Sequence, residues 1–312
     1  MSITTAPARP QNILRGVTLI IAAAFTISVQ DVVFKLFSNT LSLWQIFTVR
    51  ALLALPLFAV LALAKGNRGA LRGAVQKWPL LRGLCLTLTF MAFYAAIPFL
   101  SLSTVGAANY TAPIFITLLS AYVISEPVGR MGWIAVFVGF VGVVVLLKPG
   151  TDAFSPWALL PIIGAVFYAL GHITTRVKCQ SIPVTTMALS LNLMMLAAGL
   201  GASLLLLIWP PAPDLVNSYP NIFGAWSPIT QAEWQVLVLL AGLAVLIGMV
   251  LAGAYQAAPP ATVATFEYTY LIFVVMWDLT FFATMPKGST LLGMIMIIGA
   301  GLMVLRRDAR SG

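Results

Sequence analysis

A few side chains inside long apolar runs can carry charge or a proton. Asp31, Arg50, Glu267 and Asp278 lie well within such runs, and His172 is the single histidine. An ionisable group in that setting is costly and faces a partner or a water-filled cavity. Asp31 lies about five residues from one end of its run and Arg50 about eight from the same end of the next. At ~1.5 Å per residue their depths differ by roughly 5 Å, which an arginine side chain covers. The two are expected to pair. The pair either fixes helix packing, or Arg50 orients an anionic group of a solute while Asp31 exchanges a proton. Histidine titrates near neutrality without help. Glu267, with His172, is therefore a candidate for coupling to protons; the competing reading holds Glu267 to a nearby backbone or hydroxyl group. Tyr94, Tyr110 and Tyr268 can stack on a planar ligand or simply pack. Gln30, Asn109 and Asn192 add polar groups that either contact a solute or bond between helices.

Other chemistries are not encoded. The sequence has no HExxH, phosphate-binding loop, GxSxG or CxxC pattern. Its two cysteines, Cys85 and Cys179, fall in different settings, so no disulfide is expected. No enzyme activity, metal or cofactor is expected.

The elements that must position these residues follow from composition. Of 312 residues, 61% are hydrophobic and 8% are charged, against about 25% charged in ordinary soluble domains. That balance excludes a soluble globule and a disordered chain, and leaves an integral membrane protein in contact with lipid. A spanning helix needs about 20 mostly apolar residues. Ten runs qualify: roughly 14–34, 43–64, 79–98, 104–124, 131–148, 156–174, 184–208, 235–255, 261–282 and 289–305. None alternates as a barrel strand would. The expected fold is all-α, with ten transmembrane helices.

Ten spans put both termini on one side. Arg9, Arg15, Lys65, Arg68, Arg72, Lys77, Arg82, Arg130, Arg176, Lys178, Arg306, Arg307 and Arg310 then share that side, whereas Lys35, Lys148 and Lys287 face the other. The positive-inside rule makes the richer side cytoplasmic. The net charge of +9 is thus a topology signal, and nucleic acid is not an expected partner. The expected location is the inner membrane of a bacterial-type cell.

The halves resemble each other. TVGAANYTAPIF from Thr104 and TVATFEYTYLIF from Thr262 share six of twelve positions at a spacing of 158. This spacing matches Asn109 with Glu267, and a spacing of 142 earlier in each half matches Gln30 with His172 and Arg50 with Asn192. Two repeats of five spans enter from opposite faces, an inverted repeat of the kind many secondary transporters use. Boundaries fall at 1–13 (N-terminal tail), 14–150 (first repeat), 151–305 (second repeat) and 306–312 (C-terminal tail). Gly132, Gly139, Gly142, Gly293, Gly299 and Gly301 line spans 5 and 10 and read as close packing, or as the seam of a homodimer.

The chain resembles the drug/metabolite transporter superfamily, EamA type. The resemblance rests on Asp31-Val-Val-Phe-Lys35, Gln45 to Arg50, Arg82, Ala112-Pro113-Ile114-Phe115, Ser125-Glu126-Pro127, Gly139 to Gly142, Pro149-Gly150, Glu267-Tyr268-Thr269 and Pro286. The pattern is closer to the branch containing S-adenosylmethionine and riboflavin carriers. One departure is Thr284-Met285, where the family often has an acidic residue before the second-half proline. The resemblance implies a secondary carrier of a small organic metabolite that works by alternating access. An exporter of the same fold is the alternative, and a channel or a non-transporting receptor is less favoured.

Overall fold

The computed structural model describes residues 13–37, 40–123, 130–147, 155–179, 181–257 and 266–311. Ser125-Glu126-Pro127, Lys148 to Gly150 and the opening of the second repeated motif lie outside them. Among the described residues the chain is helical throughout, with no strand.

In the first half, α1 runs Ile13–Phe37, α2 Leu43–Ala64, α3 Ala70–Ala74, α4 Lys77–Ala96, α5 Leu102–Asn109, α6 Ala112–Val123 and α7 Arg130–Leu147. In the second, α8 runs Leu159–Lys178, α9 Val184–Ile208, α10 Pro213–Ser218, α11 Pro220–Phe223, α12 Gln231–Ala257, α13 Thr269–Phe282 and α14 Gly288–Ser311. Six helical stretches are long and apolar enough to cross a membrane: Ile13–Phe37, Leu43–Ala64, Lys77–Phe99, Pro156–Thr175, Val184–Ile208 and Gln231–Leu251. Shorter apolar helices cover Val136–Leu146, Thr269–Phe282 and Gly288–Ala300. The last helix runs on to Ser311, through the stretch expected to be a tail.

Local chemistry sets the helix ends. Ser42 and Ser101 cap α2 and α5, each hydroxyl accepting a backbone N–H three residues on. Gly66, at φ 74°, closes α2 where Asn67 N–H bonds back to the Ala62 carbonyl. Ala283 ends α13 at φ 47°, a left-handed conformation that costs a non-glycine residue roughly 1–2 kcal/mol.

Two discontinuities fall at matching places. The helix breaks between α5 and α6 at Tyr110-Thr111, and α13 starts just after a turn at Tyr268. These are the same position of the repeated motif. Span-length helices pair as α1 with α12, α4 with α8, α2 with α9, and α7 with α14. Gly142 and Gly293 make the last contact close. A Cβ on Gly142 would lie 2.9 Å from the Met296 Cβ, and one on Gly293 would lie 2.9 Å from the Gly142 carbonyl oxygen. These two glycines of the stripe are therefore used inside the chain.

The two ends of the bundle differ. At one end Lys35 donates to the Leu100 carbonyl (2.6 Å) and lies over the Phe282 ring. There Trp44 donates to the Ile222 carbonyl, Gln45 exchanges hydrogen bonds with Ser227, and Phe99 stacks on Trp157 while Tyr219 meets both rings edge-on. At the other end Asn67 bonds Thr186, Arg82 bonds Thr175, and Trp78 lies beneath Lys77 and Lys178.

Candidate functional site

The centre of the bundle holds a polar cluster between α1, α4 and α13. Asp31, 2% exposed, accepts from the Tyr94 hydroxyl at Oδ1 (3.0 Å) and from the Tyr270 hydroxyl at Oδ2 (2.7 Å). Gln30 Nε2 donates to the Tyr94 oxygen (2.8 Å). Each carboxyl oxygen of Asp31 thus meets one tyrosine hydroxyl. Each bond crosses between helices, and the Tyr270 bond joins the two halves of the chain. Phe34, Phe47, Phe90 and Phe93 surround the Tyr94 ring and keep the cluster dry.

Arg50 is an electrostatic neighbour of Asp31 and Tyr94. The expected direct pair with Asp31 does not form: the tyrosine hydroxyls take the Asp31 oxygens. Arg50 is 6% exposed, and its Nε and Nη1 are buried with no hydrogen-bond partner among the described residues. Depth was a sufficient guide to closeness, but two hydroxyl donors outcompete the guanidinium for the carboxylate.

A second cluster lies beside the helix breaks. Tyr110 stacks on Tyr270 and packs against Tyr268, both at 5.4 Å between ring centroids. Its hydroxyl donates to the Glu267 backbone carbonyl (3.1 Å). Tyr110 and Tyr268 occupy the same position of the repeated motif and touch each other. The Glu267 carboxylate is an electrostatic neighbour of Tyr110, Tyr168 and Tyr268. His172 packs on Tyr168 (4.2 Å) and neighbours Arg82.

Of the residues singled out from the sequence, Gln30, Asp31, Arg50 and Tyr94 come together in the first cluster, and Tyr110, Tyr268 and Glu267 in the second. Tyr270 bridges the two, and nothing in the sequence brings a residue 239 positions away onto Asp31. Asn192 bonds the Ala188 carbonyl of its own helix (2.9 Å) instead of a neighbouring helix. Asn109 Oδ1, Gln30 Oε1 and the Tyr268 hydroxyl are buried without partners among the described residues. Thr87 Oγ1 and Ser190 Oγ share that state and were also missed.

Asp278 has a structural role. Its two oxygens accept the Leu102 and Ser103 N–H groups (2.9 and 2.7 Å), capping the α5 N-terminus with a negative charge. No group of three or more His, Cys, Asp or Glu side chains suited to a metal occurs among the described residues. An apolar groove of about 400 Å³ lies between α6, α7 and α8, lined by Thr111, Ile114, Trp133 and Phe137 among others.

Comparison with known proteins places this architecture. Residues 14–148 match the EamA-like transporter family. The chain is 23% identical to an S-adenosylmethionine uptake transporter of Rickettsia prowazekii over 96% of this chain and 95% of that protein. It is 28% identical to a riboflavin transporter of Vibrio cholerae over 85% and 82% of the two chains. It is 25% identical to a pseudopaline exporter of Pseudomonas aeruginosa over 93% and 96%. A solved crystal structure, 17% identical, shares the fold with a TM-score of 0.60 over 95% of this chain and 98% of that one. The resemblance to the drug/metabolite transporter superfamily, EamA type, therefore holds, with S-adenosylmethionine and riboflavin carriers among the relatives. The chain is a multi-pass membrane protein similar to transporters, and those relatives imply a small-molecule substrate.

Proposed function

We propose that this chain is a secondary carrier of a small organic metabolite in a bacterial inner membrane, working by alternating access. The observation that carries the reading is the buried Asp31–Tyr94–Tyr270 cluster, which joins the two halves beside two broken helices. Broken spans at a repeat interface are where such carriers hold their substrates.

Symmetry of packing supports an inverted repeat. If spans 1–5 correspond to spans 6–10, the pair α1–α12 maps onto α4–α8. The pairs α2–α9 and α7–α14 then map onto themselves, as does the Tyr110–Tyr268 contact. Two halves related in this way can exchange conformations, giving one state open to each side. The dense stack at the Lys35 end fits closure of that end in this state. The charge distribution supports reading it as the outer end.

The relatives' names point to an S-adenosylmethionine-like or riboflavin-like solute, and an amino-acid-like solute stands beside them on the sequence reading alone. Export is the second reading, favoured by the exporter that matches nearly the whole chain. Glu267 with His172 is the candidate for proton coupling. The test is uptake by proteoliposomes of labelled S-adenosylmethionine, riboflavin, amino acids and nucleosides, with and without an imposed proton gradient. Saturable uptake of one solute supports the carrier reading; uptake that never saturates for any of them supports a channel. Unchanged pH dependence in Glu267→Gln sinks the coupling role.

A further inference from the structure

We propose that Arg50 receives a carboxylate of the transported solute, with the hydroxyls of Thr87 and Ser190 completing the anion subsite. This inference rests on the carrier reading and specifies the chemistry of its site.

Three observations converge. The first is the guanidinium itself. Arg50 is more than nine-tenths buried, is an electrostatic neighbour of Asp31 and Tyr94, and has two nitrogens, Nε and Nη1, without an acceptor among the described residues. Its planar fork matches a carboxylate bidentately. Asp31, the charge beside it, already accepts two tyrosine hydroxyls and leaves the fork unengaged.

The second is a pair of hydroxyls that break a local rule. Ser and Thr inside apolar helices bond the carbonyl four residues back by default. Thr48, Thr89, Thr174 and Ser203 all do so here. Thr87 and Ser190 are 0% exposed, and neither hydroxyl has a partner among the described residues. A hydroxyl that declines its default acceptor remains available to an incoming one.

The third is register. Thr87 lies two turns from Tyr94 on the same face of α4, about 10 Å toward the other end. The Ser190 carbonyl packs against Gly83, one turn from Thr87. Phe47, one turn from Arg50 on the same face of α2, packs edge-on against the Tyr94 ring. Arg50 and Thr87 therefore lie on helix faces that meet at Tyr94, and Ser190 follows about one turn farther along the seam between α4 and α9. Such a seam suits a solute with a carboxylate at one end and a larger polar body reaching toward the tyrosines. A neutral flavin offers Arg50 no counter-charge.

The test uses the purified full-length chain in detergent. Matched pairs are scanned by thermal shift: methionine with methioninamide, tryptophan with tryptophanamide, and S-adenosylmethionine and riboflavin alone. Wild type is expected to be stabilised saturably by at least one carboxylate, with an apparent affinity at least tenfold above that of its amide. Arg50→Gln should abolish that preference, Arg50→Lys should keep part of it, and Thr87→Val should weaken it severalfold. Thr87→Val covers the case in which Arg50→Gln does not fold. Stabilisation by riboflavin or an amide with none by any carboxylate overturns the proposal. So does a carboxylate preference that survives in Arg50→Gln, or in Thr87→Val at wild-type strength. Flux into proteoliposomes separates the two claims. Carboxylate-selective binding without flux refutes the carrier reading alone, and saturable flux without carboxylate preference refutes the subsite alone.

Discussion

Tyr270→Phe removes one oxygen and leaves the ring, so it isolates the hydroxyl that joins the two halves of the chain. The ring contacts with Tyr110 and Gly106 remain. What is lost is a 2.7 Å bond to Asp31 Oδ2, in a site where Asp31 is 2% exposed. Two magnitudes compete. Hydrogen bonds between membrane helices average about 0.6 kcal/mol. A bond to a charged acceptor, with the acceptor left buried and unsatisfied, is worth about 1.5–3 kcal/mol. The two-acceptor geometry selects the larger figure. Tyr94→Phe should cost roughly 1 kcal/mol more than Tyr270→Phe, because it also strips Gln30 Nε2 of its acceptor. The assay is a double-mutant cycle on reversible unfolding in mixed micelles, with Tyr270→Phe measured in wild-type and Asp31→Leu backgrounds. The predicted coupling is about 1.5–3 kcal/mol. A coupling of about 0.6 kcal/mol or less would refute the reasoning, because Asp31 would then be an ordinary polar neighbour and not the shared acceptor of the two halves.

Other outcomes follow from single contacts. Asp278→Leu deprives the Leu102 and Ser103 N–H groups of their acceptors and should lower stability by about 2–4 kcal/mol, read as a fall in melting temperature, with Asp278→Asn milder. Ala283→Gly relieves the left-handed backbone and should raise stability by about 0.5–1 kcal/mol in the same assay. Gly142→Val should cost at least about 1–3 kcal/mol, because the branch meets Met296 and the Gly293 backbone. The Cys179 thiol is pushed up by burial, partly offset by the Arg82 charge. It therefore adds stability that is present below the unfolded thiol's pKa and lost as pH rises through the folded value. Maleimide should label it slowly in the intact protein near neutrality and quickly once the protein is denatured.

Much of the architecture was legible because bilayer chemistry writes it into composition. Runs of about 20 apolar residues have no soluble alternative, and helices occur where those runs stand. The Thr104 and Thr262 motifs matched Tyr110 with Tyr268, yet gave no sign that the helix would be interrupted at both tyrosines. A break depends on how Tyr110, Tyr268 and Tyr270 stack across the interface, which is tertiary. Placing Arg50 near Asp31 worked because depth follows from counting residues. Predicting their ion pair failed because the winning donors, Tyr94 and Tyr270, arrive from other helices. Thr87 and Ser190 were invisible for a similar reason. Their type and setting match Thr48 and Thr89, and only the fold shows which hydroxyls forgo the carbonyl four residues back. Of the glycine stripe, Gly142 and Gly293 were rightly read as close packing, and the structure assigns them to the α7–α14 contact inside one chain.

The central claim is that this chain binds a solute at the junction of its halves and carries it across by exchanging two states. Counterflow tests it most directly. Proteoliposomes containing the wild-type chain are loaded with unlabelled solute and diluted into a trace of the same solute labelled, taking each member of the S-adenosylmethionine, riboflavin and amino-acid panel in turn. The account predicts a transient overshoot of internal label for one of these solutes, present in wild type and strongly reduced in Tyr270→Phe. Label that merely equilibrates for every solute, or an overshoot of undiminished size in Tyr270→Phe, would contradict it.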